Sequence, residues 1–73
     1  MTHFEIYAHD KVEFDGVKYE RYLLGGGDPE HGLLNFEGEW FQYTRDWFQP
    51  PVIKKYVGDV DFDGGFLVLT SYT

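Results

Sequence analysis

Cysteine is missing from this chain. Disulfides and thiolate metal sites are therefore excluded, and so is thiol catalysis. Basic residues are scarce: six Lys and Arg stand against 13 Asp and Glu, for a net charge of −7. Lys54–Lys55 is the one adjacent basic pair. A phosphate-neutralising patch is absent, which argues against direct binding of nucleic acid or of an anionic membrane. No apolar run approaches the ~20 residues of a membrane span. The opening Met-Thr-His-Phe-Glu lacks a basic segment followed by an apolar one, so no signal peptide is expected and a cytoplasmic location is. Ser71 is the single serine, and no nucleophile motif surrounds it.

What is abundant is aromatic surface. Seven Phe, six Tyr and two Trp are packed into 73 residues. Each ring can bury on the order of 150–250 Å². A chain of this length is a single domain, residues 1–73, whose core sits near the edge of independent stability. An aromatic-rich core offsets that weakness. Rings left outside the core favour self-association, and a homodimer is expected.

The densest stretch is Leu33–Phe48, LLNFEGEWFQYTRDWF. As a helix it places Phe36, Trp40, Tyr43 and Trp47 on one stripe, with Asn35 as cap. As a strand it places Phe41, Tyr43, Arg45 and Trp47 on one face and Trp40, Gln42 and Thr44 on the other. Gly38, Thr44 and the aromatics favour the strand. Glu37-Gly38 then serves as a tight turn, and Pro50-Pro51 ends the element.

Other turns are plainer. Asp15-Gly16 separates Lys11–Phe14 from Val17–Leu24, the strongest short hairpin signal. Thr2–Ala8 alternates, with Phe4, Ile6 and Ala8 on one face and His3, Glu5, Tyr7 and His9 on the other. Gly25 to Gly32 reads as a loop. Its triple glycine is followed by Asp28-Pro29, not by the Lys-Ser or Lys-Thr of a phosphate cradle. Val52–Val57 reads as a short strand. Phe66–Tyr72 is apolar on both faces, as a strand in the middle of a sheet would be. The expected fold is all-β: five to seven short antiparallel strands curled into a small barrel or sandwich. The alternative is α+β, with one short helix near 36–48.

Three groups of residues carry candidate chemistry. Asp59, Asp61 and Asp63 before Gly64 match the first half of a calcium loop. The twelfth position is Thr70 rather than glutamate and flanking helices are missing, so a solvated turn is the preferred reading and no metal or cofactor is assigned. His3, His9 and His31 lie near carboxylates, but His3 and His9 are about 20 Å apart on an extended strand and cannot share a zinc ion. Finally, acids recur at i, i+2 in Glu13/Asp15, Asp28/Glu30, Glu37/Glu39 and Asp59/Asp61/Asp63. Such rows resemble a phosphate backbone in pitch, although solvated strand faces collect charge with the same period.

The expected function is non-enzymatic. Paired carboxylates do acid–base work only in a concave pocket, for which a domain this small has little room. The expectation is a protein-binding domain, a small inhibitor of phage or mobile-element type. It would cover a basic surface of a nucleic-acid-handling or host-defence protein. The residues assigned to partner binding are Glu37, Glu39, Trp40, Tyr43, Arg45, Trp47, Asp59 and Asp61. Arg45 has Tyr43 and Trp47 beside it for stacking. Alternatives are a calcium- or sugar-binding module and a structural subunit of a larger assembly.

Overall fold

The computed structural model describes residues 2–25 and 30–71, with the side chain of Glu30 left aside. Seven strands follow one another: β1 (Thr2–Phe14), β2 (Val17–Leu24), β3 (Glu30–Phe36), β4 (Glu39–Arg45), β5 (Val52–Lys55), β6 (Val60–Asp63) and β7 (Phe66–Leu69). They form one sheet in the order β5-β4-β3-β2-β1-β7-β6, every neighbour antiparallel. The sheet is curled into a half-barrel. The described residues include no helix, and thus none long and apolar enough to cross a membrane. The helical alternative for 36–48 gives way to a hairpin of β3 and β4.

Two of the turns have the backbone their sequences announce. Asp15 and Gly16 take φ of 49° and 79°, and Glu37 and Gly38 take 50° and 83°. Positive φ at both central residues gives the twist that joins two paired strands. The Asn35 side chain accepts a bond from the Gly38 N–H (3.4 Å) and steadies the second turn. β3 begins at Glu30, so His31 and Gly32 are strand rather than loop. Residues 26–29 of the expected loop lie outside the described set. Gly32 has a specific reason to be glycine. A Cβ there would stand 2.1 Å from the Tyr22 carbonyl oxygen, so β2 and β3 close at that point only over a bare backbone.

β1 departs from simple alternation. Ile6 pairs with Leu24, yet Ala8 pairs with Leu23, so one extra residue is inserted around Tyr7. A bulge of this kind reverses the facing of every later side chain. Ala8 therefore lies on the opposite face from Phe4 and Ile6, and His9 joins them. The expected grouping of His3 with His9 is corrected for this reason.

Register assigns the rest, because directly opposed residues share a face. One face, the leucine face, carries Leu24, Leu33, Tyr56, Leu67 and Leu69, with Phe4, Ile6, Tyr22, Trp40 and Val60 packed around them. The other, the tyrosine face, buries Leu34 and Tyr43 completely. Its cover is a set of rings. Phe14 lies 5.8 Å from Tyr43 between ring centres, and Tyr19 lies 5.7 Å from Phe41 and 5.8 Å from Phe36. Phe14 is on β1 and Tyr43 on β4, three strand spacings or about 14 Å apart in a flat sheet.

Candidate protein interface

Charge is distributed unevenly over this scaffold. Between β1 and β2 it is matched. The Arg21 Nε donates to Asp10 Oδ1 at 2.8 Å and its Nη2 to Oδ2, a two-pronged pair across the strands. The Arg21 Nη1 also donates to the Tyr43 hydroxyl (3.4 Å), and the guanidinium sits 5.6 Å from the centre of that ring. The hydrogen bond from Arg21 holds the Asp10 carboxyl below its usual range. The bond to Asp10 in turn holds the Arg21 guanidinium protonated more firmly than usual, against the pull of partial burial. Lys11 stands opposite Glu20 and Lys18 opposite Glu13 in register. The Tyr22 hydroxyl donates to Glu20 (3.2 Å), and burial, seconded by this carboxylate, pushes the phenol pKa up. His9 stacks on Tyr22 with ring centres 4.2 Å apart and planes 11° from parallel, and its Nε2 lies 3.9 Å from the same carboxylate.

Across the bulge the matching stops. The first half of β1, β7 and β6 make a three-stranded lip whose side away from the leucine core carries two rows. One row is Glu5, Phe66 and Asp63; the next is His3, Val68 and Asp61. Asp59 continues the ladder by one more row, its N–H donating to Thr70 Oγ1 (2.7 Å) and its carbonyl accepting from the Thr70 N–H (3.1 Å). Neither Lys nor Arg occurs in Thr2–Ile6, Val60–Asp63 or Phe66–Leu69. Asp61 and Asp63 are about 6.5–7 Å apart along β6, and Glu5 stands two strands, or about 9.5 Å, across from Asp63. Apolar surface is mixed in. Phe66 is 46% exposed and Tyr7, at the bulge, 80% exposed.

The residues assigned to partner binding from sequence do not form a single surface. Asp59 and Asp61 belong to the acidic lip. Glu37 and Glu39 are exposed at the β3–β4 turn. Trp40 is half-buried on the leucine face, where it meets Tyr22 (5.7 Å) and Phe62 (6.1 Å). Tyr43 has no exposed surface and acts from inside the core. Arg45 is exposed at the far end of β4, about 20 Å along the strand from Glu39. Beyond it Trp47 and Phe48 are 74% and 94% exposed. They ride on a turn in which Asp46 accepts from the Phe48 N–H through its side chain (3.3 Å) and from the Gln49 N–H through its carbonyl (3.4 Å).

Asp61 and Asp63 lie along β6 with Asp59 just before it, and no group of His, Asp and Glu able to hold a metal occurs among the described residues. His31 sets its ring edge-on to Phe4 (6.4 Å). Glu5, Asp63, Tyr7 and Phe66 are surface residues missing from the partner set expected from sequence. Asp63 is visible in the i, i+2 pattern. Glu5 joins it only through the pairing of β1 with β7, which no local signal reveals. Comparison of the chain with protein-family models, with curated proteins and with solved structures gives no match.

Proposed function

We propose that this chain is a non-enzymatic binding domain that covers a basic surface on another protein through the outer side of β1, β7 and β6. One observation carries the proposal: Glu5, Asp61 and Asp63 stand on a three-strand-wide grid with exposed Phe66 among them and no Lys or Arg in the three strand segments. Unmatched charge of one sign steers encounter with the opposite sign and raises association rates. Aromatic surface at the centre of such a patch supplies affinity once contact is made. Basic grooves of the required kind belong to proteins that handle nucleic acid, and occupying one blocks it. An inhibitor of such a protein, host-defence nucleases included, is the role that fits.

The test is an affinity purification from lysate of the source organism, with mass-spectrometric identification of what is retained. Wild type and the double variant E5K/D63K are run side by side. Wild type should retain a basic, nucleic-acid-handling protein, lose it as salt rises, and release it to competing DNA. The double variant, still folded by circular dichroism, should retain at least about tenfold less. Equal capture by both would remove the acidic lip from the interface and end this reading.

A further inference from the structure

The sheet has two ends, β5 and β6, and among the described residues neither has a second neighbour. They do not close on each other, since no Cα of β5 lies within 8 Å of one on β6. An open strand edge is a template for another strand. The backbone shows which residues offer it. The Tyr56 N–H donates to the Trp40 carbonyl (3.0 Å), as the next step of the β4–β5 ladder. Backbone groups alternate in direction along an antiparallel strand. Val52 and Lys54 therefore turn toward β4 with Tyr56, and Ile53 and Lys55 turn outward. By the same rule the Thr70–Asp59 bond sets Asp61 and Asp63 toward β7, and Val60 and Phe62 outward.

Each edge then has one charged residue between its two outward-turned residues: Lys54 on β5, Asp61 on β6. Both side chains are exposed. If β5 met β5 of a second copy about a two-fold axis, the register using both outward residues would oppose Lys54 to Lys54. In the same register β6 would oppose Asp61 to Asp61. Like charges directly opposed across strands are destabilising. The mixed pair has no such conflict. With β5 antiparallel to β6 of a second copy, Ile53 bonds to Phe62 and Lys55 to Val60, and Lys54 stands opposite Asp61. Val52 and Phe62, 51% and 53% exposed, lose apolar surface to water in the same contact.

We infer that the occupant of these edges is a second copy of this chain, joined head to tail with β5 of one against β6 of the next. The contact is heterologous, so a pair still presents one free edge of each kind and growth continues past the dimer. It does not rest on the acidic-lip reading: Asp61 and Asp63 belong to both surfaces, but Lys54 lies outside the lip and Glu5 lies outside the β6 edge, so each proposal keeps a residue of its own.

Sedimentation of the full chain across a concentration series tests it. The wild-type average mass should rise with concentration and pass that of a dimer. K54D and D61K should each shift the midpoint to at least about tenfold higher concentration. The double swap K54D/D61K should associate again, because the two opposed charges are then exchanged and still of opposite sign. A second readout is amide exchange by NMR. The N–H groups of Ile53, Lys55, Val60 and Phe62 should gain protection with concentration, and those of Lys54 and Asp61, already in the ladder, should not. A wild type that stays monomeric, a dimer that grows no further, or single reversals without effect would each overturn the inference. The single variant E5K, on β1 with β7 between it and the β6 edge, is expected to weaken capture and to leave the sedimentation profile unchanged, so the two proposals fail separately.

Discussion

The two faces of this sheet bury side chains by different means. Adjacent residues make the contrast sharp: Leu33 and Leu34 are both fully buried and point to opposite sides. Leu33 sits in the larger cluster, leucine at its centre with Leu24, Leu67, Leu69 and Tyr56, and has Phe4, Ile6, Tyr22, Trp40 and Val60 packed around it. Leu34 has no second layer of strands above it. It stands opposite Arg21 and Phe41 in register, on the face where the rings of Phe14, Tyr19 and Tyr43 gather. A small domain thus gains two cores from one sheet. That explains why its strands read as apolar on both faces and why so many rings are present.

The largest effect expected from this contrast is on core truncation. Leu33→Ala should destabilise by about 3 kcal/mol, since an enclosed aliphatic site relaxes little around a new cavity. Leu34→Ala should cost less, about 2 kcal/mol, because Phe14, Tyr19 and Phe41 on that face are only partly buried and can settle into the gap. Urea unfolding of both variants gives the comparison. If the two losses are equal, the ring cover is as rigid as a second layer and the distinction between the faces fails.

The next effect has the opposite sign and sharpens the difference between turn and core. Glu37 holds φ of 50° without being glycine or asparagine. A side chain in that region costs about 1 kcal/mol relative to a residue that tolerates it. Glu37→Gly should therefore raise stability by a few tenths to about 1 kcal/mol, the gain being reduced by the greater freedom of glycine in the unfolded chain. Asp15, at the matching position of the first hairpin, belongs to a type that tolerates positive φ better. Asp15→Gly should yield less. Thermal unfolding of the pair decides the order.

Much of this architecture is legible in local sequence because turns are local events. Asp15-Gly16 and Glu37-Gly38 announce two hairpins, and the doubly apolar Phe66–Tyr72 announces a strand with neighbours on both sides, which the fold forms over Phe66–Leu69. The bulge at Tyr7 has no such signature. Alternation through Thr2–Ala8 looks unbroken, and only the partner strands reveal the extra residue. Pattern alone leaves a helix open for 36–48 because aromatics at positions 36, 40, 43 and 47 satisfy either period. Tertiary pairing with β2 and β5 removes it. The acidic lip is half legible. Asp61 and Asp63 stand out by spacing, but Glu5 is brought beside Phe66 by a contact between the two ends of the chain. Tyr43 shows the converse. Its flanking residues suggest an exposed stacking site, but it is wholly buried, with Phe14 and Arg21 against it.

The smallest expected effect concerns acid, and it separates the tyrosine face from the leucine face by chemistry instead of packing. Asp10 is tied to Arg21, and that bond depresses its pKa in the folded chain. A depressed carboxyl contributes stability that is present above the unfolded Asp range, near pH 4, and disappears as pH falls through the lower folded value. Arg21 stays protonated in both states at ordinary pH and adds no slope of its own. The Asp10 side chain is nearly half exposed, so solvent screening limits the contribution to a few tenths of a kcal/mol. Asp10→Asn should therefore lower stability slightly at neutral pH and flatten the acid limb of the stability curve below about pH 4. Leu33→Ala should lower the whole curve without changing its shape, because no carboxyl group belongs to the cluster packed around that side chain. Denaturant midpoints measured from about pH 7 down to about pH 2.5 span both pKa ranges and check both variants. An unchanged acid limb in Asp10→Asn would mean that the Asp10 carboxyl has the same pKa in the folded and unfolded chain, and that its pair with Arg21 adds no stability.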